Sequence, residues 1–215
     1  MAQPLNLDFT HLVALAAALG WASGLRLYAV VFLTGAAGAL GWLPLPAGLQ
    51  VLQNPWVLGA SFVMFALEFF ADKIPGLDTL WDAVHTFIRI PAGVLLSWGV
   101  FRDSPAALQL AAALLGGAIA SGTHLTKAGG RALINTSPEP FSNWGASLTE
   151  DLGLLGGLYL AWAHPVIFLV LLAGFFALAA WLLPKIFRGL RVLWRRLRGP
   201  IAPLPMDRAA PPRSR

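Results

Sequence analysis

Long apolar runs separated by short polar breaks dominate the chain. Leu12 to about Gly41 is apolar but for Arg26. Pro55 to Asp72 is apolar until Glu68. Ala106 to Gly122 is rich in Ala, Leu and Gly, a further run ends near Trp162, and Pro165 to Leu183 carries no charge at all. A helix needs about 20 apolar residues to cross a hydrocarbon core of about 30 Å, so the runs predict membrane-crossing helices. Ten-residue segments of alternating polarity, which a transmembrane β-barrel would show, are absent from the sequence. The predicted fold is an all-α, polytopic transmembrane bundle of about six crossings.

Against this background, residues 68 to 91 concentrate ionisable side chains. From Leu77 to Arg89 the apolar positions Leu80, Trp81, Val84, Phe87 and Ile88 follow helical spacing. Asp78, Asp82, His85 and Arg89 fall at i, i+4, i+7 and i+11, which places them on one face. Pro75-Gly76 breaks the chain before this helix and Pro91 kinks or ends it, so 77–101 reads either as one kinked crossing or as a broken, re-entrant segment. His124, Lys127 and Arg131 form a second, basic stripe, and Asn143, Ser147 and Glu150, with Asp151 beside them, form a third, acidic one.

Local signals punctuate the remainder. Arg26 sits some fifteen residues into the first run, where a charged side chain costs about 2.5 to 3.5 kcal/mol and calls for a carboxylate or a water-filled cavity. Gly20, Ser23 and Gly24 before it permit close helix contact or a local break. The first run is too long for a signal-peptide core and no basic segment precedes it, so it is expected to be a retained span. Pro44 and Pro46 mark 42–54 as an interfacial connection. Ser104 is the expected N-cap of the next helix, with Pro105 at its first position. Gly129-Gly130 is expected to weaken or end that helix. The prolines of 135–143 predict an irregular segment, followed by Ser142 or Asn143 as an N-cap. A gapped likeness of Leu15–Leu19 to Leu110–Leu114, and of Lys73-Ile74 to Lys185-Ile186, is compatible with an internal duplication of the transporter type.

Composition narrows the chemistry. Hydrophobic residues make up 57% of the 215 and charged ones 12%, and cysteine is absent, which excludes disulfides, thiol nucleophiles and Cys-based metal sites. The net charge of +5 is uneven: residues 185–215 carry nine Lys/Arg against one Asp, and residues 1–184 carry six against nine acids. Because Lys185, Arg188, Arg191, Arg195, Arg196 and Arg198 follow an apolar run directly, they are read as positive-inside residues contacting anionic lipid rather than nucleic acid. The division is therefore a transmembrane domain over 1–184, a basic amphipathic interfacial helix over 185–198 and a disordered tail over 199–215. The expected location is a bacterial inner membrane, with a cytoplasmic C-terminus.

The run Glu68 to Asp78, then Trp81 to Gly93, together with His124-Leu-Thr-Lys-Ala-Gly-Gly-Arg131 and Asn135 to Asn143, resembles a bacterial integral-membrane family, domain of unknown function 4126, over about residues 10 to 185. The resemblance implies membrane location and no catalytic assignment.

The polar inventory is Arg26, Glu68, Asp72, Lys73, Asp78, Asp82, His85, Arg89, His124, Lys127, Arg131, Asn143, Glu150 and Asp151. Intramembrane charge of this density marks substrate or proton pathways. The leading expectation is a transporter, channel or lipid translocator with a central charged cavity, proton-coupled through its histidines and holding an anionic group on His124, Lys127 and Arg131. Opposite stripes are expected to face each other in the interior, with Asp82 and Lys127 as the central pair. No cofactor is expected. An alternative is an intramembrane enzyme in which Asp78 and Asp82 hold Mg²⁺ against a phosphorylated lipid. Another is an assembly or scaffold subunit whose small-residue helices support a homo-oligomer.

Overall fold

The computed structural model describes residues 7–136 and 141–197; among these it contains seven helices and no strand. In order they are α1 (Phe9–Ala39), a 3₁₀ helix (Ala47–Gln53), α2 (Pro55–Ala71), α3 (Leu77–Val100), α4 (Ala106–Ile134), α5 (Phe141–Ala163) and α6 (Pro165–Leu197). By length and apolarity α1, α3, α4 and residues 165–189 of α6 suffice to cross a membrane. The 3₁₀ helix with α2, bent by 70°, makes a fifth candidate. At 23 residues α5 is about 35 Å long, but its polar face lowers its apolarity. The protein is thus an all-helical, membrane-spanning bundle, and about six crossings is compatible with it.

The expected first span is not a straight crossing. At Arg26 the backbone leaves the helical region (φ −146°, ψ 85°) and α1 divides into 9–25 and 27–39. In a straight helix Leu15 and Leu33 would stand about 27 Å apart, yet both line one cavity beside Leu155 and Leu158. The Pro44 to Pro46 loop that follows the second half shares a cavity with Leu7, Leu12 and Val100, beside the start of the first half. The first run is therefore a pair of half-helices folded back on each other, with Arg26 at the tip. The physical reason is Arg26 itself: a continuous span would present the guanidinium to apolar surroundings, whereas the bend delivers it to carboxylates.

The turn needs close packing. A Cβ on Gly24 would lie 2.5 Å from the Ala120 carbonyl oxygen and one on Gly20 2.9 Å from that of Gly116, so the first half of α1 runs alongside α4 at backbone contact. The core is correspondingly small-residue: Ala14, Ala17, Ala18, Ala22 and Ala29 are all buried. Ser97 Oγ donates to the Ala16 carbonyl at 2.8 Å and Ser23 Oγ to the Arg89 carbonyl at 3.1 Å, pinning α3 antiparallel to the first half.

Other boundaries differ in detail from the sequence expectation. Pro91 lies inside α3, which continues to Val100 as a single helix; the broken element is α1. The 42–54 connection contains the 3₁₀ helix, with Leu49 and Leu52 buried. Pro105, not Ser104, is the N-cap of α4; the Arg102 and Ser104 carbonyls accept from the Gln109 side chain at 2.9 and 2.8 Å instead. Helix α4 passes through Gly129-Gly130 to Ile134, held there by Lys127 and Arg131, whose charged ends are tied inward. Helix α5 starts at Phe141, so Ser142 and Asn143 lie in its first turn. The Ala163-His164-Pro165 turn is as expected, and α6 runs through Pro184 without interruption. The segment 137–140 and the tail 198–215 lie outside the described residues.

A candidate ion-pair site inside the bundle

Five helices converge on one charged cluster. From α3 come Asp78, Asp82 and Arg89, at 0, 2 and 0% exposure; from α4, Lys127 and Arg131; from the end of α2, Glu68 and Asp72; from the bend of α1, Arg26; from α5, Asn143, Ser147, Glu150 and Asp151. The stripe spacing does the local work: one helical face of α3 meets one of α4, antiparallel, so Asp82 sits near Lys127 and Asp78 near Arg131.

Two ions act as hubs. The ammonium of Lys127 lies 2.8 Å from Asp72 Oδ2, 3.4 Å from Glu150 Oε2 and 3.5 Å from Asp82 Oδ1. Asp72 Oδ2 in turn faces Arg26 at 3.2 Å and Arg131 at 4.0 Å. Arg26 also reaches Asp151 at 2.8 Å and donates to Ser147 Oγ at 2.8 Å. Arg89 bridges Glu68 and Asp82, 2.6 Å to each. Arg131 holds Glu150 in a two-pronged pair, Nε to Oε1 at 3.2 Å and Nη2 to Oε2 at 3.1 Å, and donates to Asn143 Oδ1 and the Asp72 carbonyl. Such forked pairs fix direction as well as charge. Glu150 thus reaches Arg131 and Lys127 at 3.1 and 3.4 Å, and Arg26 at 3.8 Å.

The break in α1 is stitched into this network. Helix ends leave carbonyls without intrahelical partners and carry partial negative charge. Lys127 Nζ donates to the Leu25 carbonyl at 3.0 Å, so a cation caps the first half-helix where it stops.

Some candidates lie at the edge. Lys73 rests its ammonium over the Phe69 ring at 3.0 Å and reaches Ser147 Oγ at 3.3 Å. His85 stacks on Trp81 and bonds Tyr28 Oη at 3.2 Å, away from the basic stripe. His124 contacts Thr86 Oγ1 at 2.7 Å and Arg89 Nη1 at 3.3 Å. The expected Asp82–Lys127 pair exists at 3.5 Å, but each has a nearer partner, Arg89 and Asp72 respectively. Tyr28, Thr86 and Asn135 join the cluster without having been singled out. Asn135 carried a signal, since it follows Arg131 by one helical turn; it donates to both oxygens of Asp78 at 2.9 and 3.0 Å.

That contact bears on metal binding. Asp78 accepts from Asn135 and from the Gly76 and Thr79 amides, while Asp82 is held by Arg89 and Lys127. Both carboxylates are thus engaged by protein donors, and among the described residues no trio of His, Asp or Glu is arranged to hold a metal ion. Several buried polar atoms of the cluster have no hydrogen-bond partner among the described residues: Glu68 Oε2, Asp72 Oδ1, Asp82 Oδ2, Arg89 Nε and Arg26 Nη1. Each such atom costs about 1 to 3 kcal/mol.

A family model described as "domain of unknown function" (DUF4126) matches residues 13–185, and the chain belongs to that family. No curated protein matches the chain, and no solved structure does.

Proposed function

We propose that this member of the domain of unknown function 4126 family is a proton-coupled transporter of a bacterial inner membrane, with the buried ion-pair network as its substrate and coupling site. One observation carries the reading: the tip of a folded-back, discontinuous helix, Arg26, lies among carboxylates from α2 and α5. Transporters place interrupted helices around their sites because the exposed helix ends supply partial charges at membrane depth. Stability alone is a poor reason for the arrangement, since buried ion pairs rarely outperform apolar packing.

The substrate class follows from Glu150. Its carboxylate has 14% exposure, takes the fork of Arg131 and approaches Lys127 at 3.4 Å. An incoming carboxylate or phosphate would present the same geometry to the same two cations, with Glu150 displaced toward solvent. Uptake of a proton by the network would offset the added negative charge. Positive-inside charge at Lys185, Arg188 and Arg191 supports a cytoplasmic C-terminus, with this basic segment suited to anionic lipid. No cofactor enters this mechanism.

Reconstituted vesicles containing a pH-sensitive dye test it. An inward gradient of inorganic phosphate, succinate or glutamate is expected to acidify the lumen with the parent protein and not with a folded Arg131→Gln variant. Folded parent protein that moves neither protons nor labelled anion across that panel overturns the proposal.

A further inference from the structure

The charges of the cluster do not balance. Six carboxylates, Glu68, Asp72, Asp78, Asp82, Glu150 and Asp151, meet four buried cations, Arg26, Arg89, Lys127 and Arg131; counting Lys73 at the edge still leaves one negative charge in excess among the described residues. A lone carboxylate removed from water is neutralised by an ion or by a proton. No metal-holding trio of ligands is present among the described residues; of the two buried histidines beside the cluster, His124 accepts from Arg89 Nη1 on its Nδ1 at 3.3 Å, and His85 bonds the Trp81 carbonyl and Tyr28 Oη rather than a carboxylate, so the geometry directs the proton to a carboxylate.

The carboxylates are unequal in their claims on the cations. Asp72 faces three of them, Glu150 also three, and Asp82 two. Asp78 has Asn135 and two backbone amides besides Arg131, and Asp151 is one-fifth exposed. Glu68 has 0% exposure and bonds a single cation, Arg89, which it shares with Asp82 at the same 2.6 Å. Its second oxygen, Oε2, like Asp72 Oδ1 and Asp82 Oδ2, has no hydrogen-bond partner among the described residues, but those two carboxylates meet three and two cations against its one.

We infer that Glu68 is the proton-binding residue of the network, protonated on Oε2 while Oε1 keeps its bond from Arg89. This deepens the proton-coupling reading above and rests on it for the use to which the proton is put. The surrounding groups set the conditions for release. Tyr28 and Arg26 approach from α1, Asp72 is one turn along α2, Arg89 and Asp82 face it from α3 with His85 behind Tyr28, and Lys127 and His124 stand on α4. Displacement of Glu150 from Lys127 and Arg131 by a substrate anion alters the cation supply of Asp72 and Asp82. Asp82 shares the Arg89 guanidinium with Glu68 and the Lys127 ammonium with Asp72 and Glu150, so anion binding and protonation are linked through these shared cations.

Infrared spectroscopy of the reconstituted protein at neutral pH reads the proton directly. A carboxylic acid C=O band sensitive to deuterium exchange is expected in the parent and in Asp103→Asn, whose carboxylate is exposed and outside the cluster, and absent in Glu68→Gln. Carbonyl-labelled glutamate assigns the band without mutation, because the chain has only three glutamates, Glu68, Glu139 and Glu150. Absence of a protonated carboxyl in the parent, a band unmoved by labelled glutamate, or a band that survives Glu68→Gln in folded protein would refute the assignment. The vesicle measurement is independent: a Glu68 band without anion-dependent proton entry sinks the transport reading and leaves this one, and proton entry without the band does the reverse.

Discussion

Removing the charge of Lys127 exposes the energetic logic of the network most directly. Its ammonium serves Asp72, Glu150 and Asp82 within 3.5 Å and caps the Leu25 carbonyl at 3.0 Å. Lys127→Met leaves three carboxylates, two of them fully or almost fully buried, sharing one cation fewer. Breaking a buried ion pair from one side costs about 3 to 5 kcal/mol. For a chain of this size, 1 kcal/mol corresponds to about 2 to 4 °C in Tm, so a fall of about 6 to 20 °C is expected. Asp72→Asn should also destabilise, since Arg26, Lys127 and Arg131 lose a common acceptor. Combining the two removes an anion and a cation together, so the double variant should regain at least half of the loss in Tm while remaining inactive. Lys127→Gln separates the two roles of the side chain, because an amide can still donate to Leu25 but carries no charge. Thermal melting in detergent, followed by light scattering or tryptophan fluorescence, measures all four. If every variant melts within 2 °C of the parent, a threshold below the ~1 kcal/mol equivalent, the cluster is solvated and the pairing argument fails.

Two further expectations test the scaffold. Gly24→Val drives a side chain against the Ala120 carbonyl, 2.5 Å from the would-be Cβ, and should cost about 1 to 3 kcal/mol in the same melting assay. Gly130→Ala, on the same helix as Ala120 but with nothing within 4 Å, should instead stabilise by about 0.8 to 1.0 kcal/mol through helix propensity. At the start of α1, hydrogen bonds from the His11 amide and ring hold the exposed Asp8 carboxyl below its ordinary range. Its capping contribution is therefore present above the unfolded carboxyl's midpoint and is lost as pH falls through the lower folded one. Hydrogen exchange of the first turn of α1 should accelerate on acidification below about pH 4 in the parent, and Asp8→Ala should show fast exchange at every pH.

The charged faces were legible in the sequence because helical periodicity is a property of spacing alone. Asp78, Asp82 and Arg89 on one helix, and Lys127 and Arg131 on another, had to emerge as stripes wherever those helices went. What spacing could not show was which helices would meet. Arg26 signalled its need for a carboxylate, and Gly20, Ser23 and Gly24 signalled that a break was permitted, but not which carboxylates would serve or that the chain would fold back, since a 31-residue apolar helix is long enough to cross as it stands. The bend becomes favourable only when Asp72, Ser147 and Asp151 are in place, and those are tertiary neighbours. Similarly, Gly129-Gly130 reads as a stop by propensity, yet α4 continues because tethers at Lys127 and Arg131 outweigh about 1 kcal/mol per glycine. The exchange of nearest partners, Asp82 to Arg89 and Lys127 to Asp72, depends on side-chain reach across helices and lay beyond any one-dimensional pattern.

The guanidinium at the tip of α1 also imposes a timetable on biogenesis. Ser147, to which Arg26 donates, lies 121 residues downstream. At about 5 to 20 residues per second, the ribosome needs about 6 to 24 s to supply it after Arg26 has been made. Throughout that interval the N-terminal hairpin has no α5 to dock against, and until the rest of the bundle forms Asp72 is the earliest carboxylate partner available to its charge. The segment synthesised first is consequently among the last to settle, and ribosome-bound chains that stop short of α5 should leave Arg26 open to water-soluble arginine-directed reagents, while full-length chains should protect it.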